Sequence, residues 1–215
     1  MHITHAVFEP IALPLHRLPK QTLHHVWAPK LRRPVLLTSQ GQLHLWVMLE
    51  ANPSVTRYCE RPSWPAECGP RPALDFWVLR DNQPVWLASE ELASGLPVQD
   101  PCQQQEIAVQ SVTAKDLDSD RVWIQNWLSL LPYLSATSSL NLDHLGRQVL
   151  EFFTRESSFD EAERHFARDD GVLVRTAVIA QLHVGRLFSG DLLTRPWDLD
   201  TRVVRLSSEA CHAPQ

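Results

Sequence analysis

The chain has 215 residues, of which 44% are hydrophobic and 21% are charged, and its formal net charge is −5. These proportions are typical of a globular protein that can build one large domain or two small ones. They exclude a dedicated polycation that would bind nucleic acid through its overall charge, although they leave room for a local basic surface.

The cysteines and the apolar segments indicate the compartment. The spacings of Cys59, Cys68, Cys102 and Cys211 fit no zinc-ligand pattern, and their low density argues against a disulfide framework. The sequence shows no charged leader followed by an apolar stretch, and no apolar run reaches the length of a membrane span. We therefore expect a cytoplasmic protein with reduced thiols and no contact with a membrane.

The first 50 residues predict an extended arm followed by a helix. Residues 1–37 are rich in Pro, His and Leu without clear periodicity, which indicates an arm with one or two short strands or helices. Residues 39–50 have the apolar spacing of a helix, with Ser39 as its N-cap. Gln42 stands where a capping box places Glu or Gln. The helix is expected to end before Pro53, which disfavours helical backbone in the residue that precedes it.

A strand, a Pro-rich loop and a hairpin follow this helix. Residues 55–59 predict the strand, and residues 61–72 predict the loop. The hairpin consists of residues 74–79 and 84–88, joined by a polar turn at residues 80–83. Together with the helix, these elements indicate a small domain of the mixed α+β class.

A change of composition separates the two halves of the chain. Residues 95–106 are rich in Gln and contain two prolines, so we interpret them as a linker. Residues 107–112 predict a last strand of the first domain. We therefore expect two domains, at residues 1–108 and 109–215.

The second half predicts helices first and strands last. The apolar patterns place helices at residues 122–131, 142–154, 158–167 and 172–184, and strands at residues 187–193 and 201–206. Pro132 is expected near the end of the first of these helices. Ser158 and Glu161 form a capping box, and Gly185 is expected to cap the last helix. A helix, a turn, a second helix and a two-stranded wing are the order of a winged helix.

The helix, strand, loop and hairpin of the first domain have the order found in metal-dependent nucleases of the PD-(D/E)XK type. In such nucleases a carboxylate from the helix and an Asp from the hairpin bind a divalent metal. An acid or amide and a Lys follow on the next strand, and the metal polarises the phosphate and lowers the pKa of bound water. Asp75, at the start of the first hairpin strand, is the candidate for the hairpin carboxylate.

The sequence resembles the TnsA endonucleases, which are the strand-cleaving subunits of a heteromeric bacterial transposase. The matching segments are residues 42–50 and 52–55, which resemble the family's helix and its exit, residues 59–62 (Cys-Glu-Arg-Pro) and residues 74–78 (Leu-Asp-Phe-Trp-Val). Residues 110–206 are similar to the helical and winged region of many members. The resemblance implies a restriction-endonuclease-like first domain with a mixed sheet and a winged-helix second domain.

The resemblance maps the nuclease site onto Gln42, Asp75, Ala88 and Glu90. Gln42 stands at the family's helix carboxylate, Ala88 at its acid or Gln, and Glu90 at its Lys, and residues 31–114 contain no Lys. One carboxylate does not hold a hard divalent ion tightly, because such sites are built from several oxygen ligands. We therefore expect a vestigial nuclease site with no catalytic residues, no metal and no cofactor.

Alternative interpretations of these residues stay open at this point. Helix capping alone is enough to explain Gln42, and a position at a turn or strand edge is enough to explain Asp75. A shift of the alignment by one or two residues would make Glu90 or Glu91 a ligand. Glu50, Asp75 and Glu90 would then form an altered site for Mg²⁺.

Residues 172–184 are the candidate recognition helix of the second domain. Its buried stripe is predicted to include Val172, Leu173, Thr176, Val178, Ile179 and Leu182. The residues expected to face DNA are Arg175, Gln181 and His183 on this helix and Arg186, Arg195 and Arg202 around the wing. The alternative is a winged helix that contacts protein. Acidic side chains would repel a DNA backbone on one side, at Asp160, Glu161, Glu163, Asp169 and Asp170.

Three hypotheses for the function follow. The first is a catalytically inactive TnsA-like transposon protein that binds DNA at transposon ends, or the transposase and ATPase subunits of the transposition machinery. The second is an active metal-dependent DNA endonuclease with a rearranged site. The third is a winged-helix DNA-binding regulator with an unrelated first domain. Metal-dependent nicking separates the second hypothesis from the others, and association with a transposase or its ATPase separates the first from the third.

Overall fold

The structure, a computed structural model, describes residues 9–15, 22–63, 74–89 and 109–206. It shows a mixed α+β protein with a four-stranded mixed sheet and several helices, which confirms the predicted class. The chain divides into two compact units, Met1–Leu49 with Ser54–Ser119 and Glu50–Pro53 with Asp120–Gln215. The predicted domain boundary after residue 108 lies outside the described residues and stays a prediction.

A hairpin of two antiparallel strands precedes the first helix. Strand β1 (His24–Ala28) pairs with strand β2 (Arg33–Leu37). Arg32, in the turn, has a φ of 52°, a left-handed backbone that non-glycine residues adopt in tight turns. Val35 and Leu37 are buried, so one face of β2 packs into the core. This hairpin agrees with the short strands expected in the arm.

Helix α1 (Gln40–Ala51) confirms the helix predicted over residues 39–50. The backbone N–H of Gln42 donates to Ser39 Oγ over 3.1 Å, so Ser39 is the N-cap that the sequence predicts. The buried residues of the helix are apolar apart from one acid: Leu43, Leu45, Trp46, Val47, Leu49, Glu50 and Ala51. Burial on most of its circumference makes this a core helix of the first unit.

The central sheet of the first unit has four strands. They are β3 (Val55–Glu60), β4 (Phe76–Arg80), β5 (Gln83–Ser89) and β6 (Val109–Val112), in that spatial order. The first three pair antiparallel and β6 lies parallel to β5. Asp81 and Asn82 join β4 to β5 with φ values of 49° and 61°, and positive φ at both central residues is the mark of a type I′ hairpin turn.

Strand β4 lies at the centre of the core. Its consecutive residues Phe76, Trp77 and Val78 are all buried, which means that both faces of the strand are covered. The Trp46 Nε1–H donates to the Tyr58 hydroxyl over 2.8 Å, and this bond satisfies two polar atoms inside the apolar core. Cys59 is a free, buried thiol, and burial raises its pKa to about 11. The other three cysteines lie outside the described residues.

Two helices adjoin the transition from the first unit to the second. Helix α2 (Ala114–Ser119) has no buried residue and was not predicted, because it carries no apolar periodicity. Helix α3 (Arg121–Ala136) continues through Pro132, so the prediction that it ends there is wrong. A proline removes one hydrogen bond from a helix. The turn beyond it still forms, because the backbone N–H of Thr137 bonds the Tyr133 carbonyl over 3.3 Å.

Three further helices confirm the pattern predicted for the second unit. They are α4 (Asp143–Phe152), α5 (Phe159–His165) and α6 (Gly171–His183). Ser158 and Glu161 form the predicted capping box at the head of α5. Asp170 caps α6, and Gly185 follows its end at a φ of 72°. A Cβ atom at position 185 would lie 2.6 Å from Pro53 Cβ. The positive φ and the lack of room for a side chain therefore both favour glycine.

The strand predicted over residues 187–193 is wrong beyond its first two residues. Strand β8 is limited to Leu187–Phe188, and a short helix α7 (Asp191–Thr194) follows. Strand β9 (Arg202–Arg205) confirms the last predicted strand and pairs antiparallel with both β8 and β7 (Ser157–Ser158). The short helix is held by Asn126, whose buried side chain donates to the carbonyls of Leu192 and Arg195 over 2.9 and 2.8 Å.

Helix α6 buries most of the predicted stripe, and Leu173 is half-buried. Thr176, Val178, Ile179 and Leu182 are buried as expected. Val172 is 49% exposed because it lies in the first turn, directly after the cap. His183, which was expected to face outwards, is buried.

Among the residues that the structure describes, no helix is long and apolar enough to cross a membrane.

Candidate functional site at the head of helix α1

The structure brings Gln42 and Asp75 into direct contact. Gln42 lies in the first turn of α1, and Asp75 immediately precedes β4. The Gln42 Nε2 donates to Asp75 Oδ1 over 2.8 Å. These residues are 33 positions apart in the sequence, so the tertiary fold creates this pair.

Asp75 forms hydrogen bonds through both carboxylate oxygens and through its backbone N–H and carbonyl groups. Its side chain is buried, and its second carboxylate oxygen, Oδ2, accepts the backbone N–H of Ser89 over 2.5 Å. Its own N–H donates to the Leu87 carbonyl, and its carbonyl accepts from Arg61, at 3.1 and 2.9 Å. Both carboxylate oxygens therefore have a neutral donor, which satisfies a buried charge without a cation.

The other end of the Gln42 amide is engaged as well. Its Oε1 accepts the backbone N–H of Thr38 over 2.7 Å and the Thr38 hydroxyl over 2.9 Å. A capping box would take the backbone N–H of the N-cap residue Ser39 instead, so the capping explanation is wrong in its detail. Because Oε1 faces Thr38, the amide is oriented with its NH₂ group towards Asp75.

The contact between Gln42 and Asp75 needs no cation. Two carboxylates at positions 42 and 75 would repel each other unless a cation or a proton lay between them. The NH₂ group of Gln42 supplies the positive end of a dipole at that place. Ala88, on β5, is buried in a hydrophobic cluster with Cys59, Leu74, Trp77 and Trp86, and its methyl group cannot ligate a metal. Within the described parts of the chain no group of three or more His, Cys, Asp or Glu side chains could hold a metal ion.

Glu90 and Glu91 lie outside the described residues, and Glu50 is engaged elsewhere. Glu50 stands two turns beyond Gln42, about 12 Å along the helix axis. Its Oε2 lies 2.9 Å from His183 Nε2, and both side chains are buried in the second unit. Glu50 is thus paired with His183, and the altered site of Glu50, Asp75 and Glu90 stays a hypothesis, because Glu90 lies outside the described residues.

The basic residues Lys30, Arg32 and Arg33 form a short segment, of which Lys30 and Arg33 are bound to other parts of the protein. Lys30 Nζ donates to the Leu49 carbonyl over 2.7 Å. The Arg33 guanidinium forms a two-bond contact with Glu60, at 2.8 and 2.6 Å. That hydrogen-bonded contact with the carboxylate raises the pKa of Arg33. Two cations of the segment are therefore used to hold the fold.

Sequence reasoning missed Thr38, Ser89 and Glu60 as parts of this surrounding structure. A signal existed for Thr38, which directly precedes the N-cap and is a residue type that bonds nearby side chains. Ser89 contributes its backbone N–H, which every residue except proline has, so no sequence signal could identify it.

The arginines proposed for DNA contact are mostly paired with carboxylates. Arg175 Nε and Nη2 each lie 2.8 Å from Glu163 Oε1. Arg202 Nη1 lies 3.3 Å from Glu161 Oε2. Arg195 contacts Asp191 and Asp198 at 2.8 and 3.0 Å.

The remaining predicted DNA contacts divide into two groups. Arg186 is exposed, and its Nη1 lies 3.4 Å from Oε1 of the half-buried Gln181. His183 is buried beside Glu50 and Trp127, whose ring centroid lies 6.1 Å from that of His183. His183 is therefore placed to stabilise the second unit, and Arg186 and Gln181 remain accessible.

Hydrogen bonds lower the pKa of three carboxylates in the second unit. The backbone N–H of Arg202, and then the Arg195 guanidinium, lower the pKa of Asp191. Arg195 lowers the pKa of Asp198 in the same way. The backbone N–H of Ser158 lowers the pKa of Glu161. All three groups are therefore ionised at neutral pH.

Comparison of the chain with protein-family models and with curated proteins gave no match.

Proposed function

We propose that this chain is a non-cleaving relative of the TnsA endonucleases, which acts in DNA transposition through contacts with partner proteins and DNA. Its first unit would be a restriction-endonuclease-like domain and its second a winged helix. The observation that carries the proposal is the hydrogen bond from Gln42 Nε2 to Asp75 Oδ1. It joins the two positions that the resemblance assigns to the metal ligands of the nuclease.

The chemistry of this pair argues against hydrolysis. Unaided cleavage of a phosphodiester is so slow that a nuclease must supply a large part of the barrier, which this class does with metal and lysine. Each carboxylate oxygen of Asp75 accepts a hydrogen bond from a neutral donor, and Ala88 offers no ligand. A metal at Asp75 would compete with the donors of Gln42 and Ser89 for the carboxylate oxygens.

The second unit supports a role in binding. Helices α5 and α6, followed by strands β8 and β9, have the order of a helix-turn-helix with a wing. Because Arg175, Arg195 and Arg202 are paired with carboxylates, we favour partner proteins as the main contact and DNA as a weaker one. The partners would be the transposase and ATPase subunits of the machinery, assembled on transposon ends.

A nicking assay tests the catalytic part of this proposal. Supercoiled DNA is incubated with the full chain over several concentrations of Mg²⁺ or Mn²⁺, beside the variant Asp75→Ala. We expect no conversion to nicked circles by either protein. Metal-dependent nicking that Asp75→Ala abolishes would establish instead an active nuclease with a rearranged site.

A co-purification experiment tests the partner. The full chain is co-expressed with a transposase and an ATPase subunit encoded beside it. We expect association with at least one of them that persists when DNA is digested, because protein surfaces carry the contact. Binding of DNA without either subunit would favour the plain winged-helix regulator.

A further inference from the structure

Arg175 and Arg202 are each paired with a carboxylate of helix α5, Glu163 and Glu161 respectively. Arg175 lies on α6 and Arg202 on β9, which are the elements that the proposed winged helix would turn towards DNA. A carboxylate and a phosphate both offer negatively charged acceptor oxygens to a guanidinium group. An arginine that is already bound to a carboxylate must exchange that partner before it can bind nucleic acid.

Arg175 is the more tightly held of the two. Its Nε and Nη2 contact Glu163 Oε1 at 2.8 Å, and its Nη1 donates to the Tyr133 hydroxyl over 3.0 Å. The side chains of Arg175 and Glu163 are only 19% and 20% exposed. Three donor groups of the guanidinium are therefore engaged inside the unit, and a phosphate can reach Arg175 only by displacing Glu163.

The capping box of α5 holds the Glu161 carboxylate independently of its contact with Arg202. Its Oε2 accepts the backbone N–H of Ser158 over 3.0 Å as part of the capping box of α5. Arg202 Nη1 approaches the same carboxylate at 3.3 and 3.4 Å. Because the cap holds the carboxylate, it stays beside Arg202 at little further entropic cost.

We propose that Glu161 and Glu163 are autoinhibitory ligands of Arg202 and Arg175, which compete with DNA phosphate and keep the affinity of this chain for duplex DNA low. The inference rests on the DNA-facing orientation proposed for the second unit, and it is independent of whether the first unit cleaves. Under this proposal, the acidic side chains of α5 do more than repel the DNA backbone, because they compete with it for two arginines.

The test compares two double variants that change the net charge equally. In Glu161→Gln/Glu163→Gln the competing carboxylates become amides, and an amide at position 161 can still form the capping box. The control is Glu151→Gln/Glu156→Gln, because both residues are exposed and neither forms an ion pair in the described part of the chain. Binding of a short fluorescent duplex to the full chain is measured at several KCl concentrations.

The first double variant is expected to change both the affinity for DNA and the dependence of that affinity on salt. The first double variant is expected to bind about fivefold more tightly than the wild type at low salt, since the two carboxylates no longer compete for the arginines. The dependence of log K on log salt steepens by about 1.8, the value for two additional phosphate contacts. The control variant gains less affinity and keeps the wild-type slope.

Removal of the arginines completes the test. Adding Arg175→Ala and Arg202→Ala to Glu161→Gln/Glu163→Gln is expected to cancel both the gain in affinity and the change of slope. Equal gains in the two double variants, an unchanged slope, or a gain that survives the loss of both arginines would each overturn the proposal. Nicking and partner association are measured on the wild type, so failure of the proposed function gives a separate result.

Discussion

At the scale of single residues, the candidate site depends on one chemical group of Gln42. A glutamate differs from glutamine by a charged oxygen in place of an NH₂ group. With the amide, the contact to Asp75 is a hydrogen bond of 2.8 Å to a buried carboxylate. With a carboxylate at position 42, the same geometry would place two negative charges in contact.

Gln42→Glu is therefore expected to lower the free energy of unfolding in EDTA by about 2 kcal/mol, because a buried donor is replaced by a like charge. Mn²⁺ or Mg²⁺ should restore part of this loss, since a cation can lie between the two carboxylates. Urea unfolding with and without metal measures both effects.

The control for this variant is Gln40→Glu. Gln40 is exposed in the first turn of the same helix, where a negative charge interacts favourably with the helix dipole. Gln40 Nε2 lies 2.7 Å from His44 Nε2, and a carboxylate at position 40 can keep a contact with that ring. The stability of Gln40→Glu in EDTA should therefore stay within about 0.5 kcal/mol of the wild type. An unchanged stability of Gln42→Glu in EDTA would contradict the geometry derived for Asp75.

At the scale of elements, one buried amide determines the shape of the segment between β8 and β9. Asn126, on α3, donates to two carbonyls of this segment and accepts the backbone N–H of Trp197 over 2.9 Å. Arg195 adds contacts with Asp191 and Asp198. The segment is thus held by tertiary hydrogen bonds, which explains why it forms a short helix instead of a longer strand.

Asn126→Ala should lower the free energy of unfolding by roughly 3 kcal/mol, because three backbone groups lose a buried partner. The neighbouring Gln125 is exposed on the same helix, and Gln125→Ala should change stability by less than about 0.5 kcal/mol. Urea unfolding followed by tryptophan fluorescence compares the two. Equal effects of both substitutions would show that Asn126 does not anchor the segment.

At the scale of the whole molecule, the ion pairs of the second unit make stability depend on pH. The pKa values of Asp191, Asp198 and Glu161 are lowered in the folded protein. A carboxylate of this kind contributes stability above its unfolded pKa, which is about 4, and loses that contribution as the pH falls through its folded pKa. The protein should therefore lose stability on acidification below about pH 4.

Unfolding midpoints in urea, measured from neutral pH to about pH 2, test this dependence. Asp191→Asn should be less stable than the wild type at neutral pH and should lose less on acidification, because the substituted group no longer titrates. Glu151→Gln, an exposed residue outside this network, should follow the wild-type profile. A wild-type midpoint that stays constant down to about pH 2 would contradict the role of these pairs.

The sequence predicted most elements because their signals are local. Ser39 and Ser158 marked helix starts with caps, Gly185 marked a helix end, and the turn at Asp81 and Asn82 marked a hairpin. Each of these depends on the preferred backbone or on a bond within a few residues. Local signals failed at Pro132, where the packed helix tolerates a lost hydrogen bond.

The sequence by itself determined the α+β class, the helix that carries Gln42, the strand that follows Asp75 and the arginines of the second unit. Only the tertiary structure decided the partners of these side chains: Asp75 for Gln42, the Ser89 N–H for Asp75, Glu163 for Arg175 and Glu50 for His183. Caps and turns are interactions between neighbours in the chain. The hydrogen bonds and ion pairs of buried groups join distant positions, and many alternative partners of the same chemical type are compatible with one sequence.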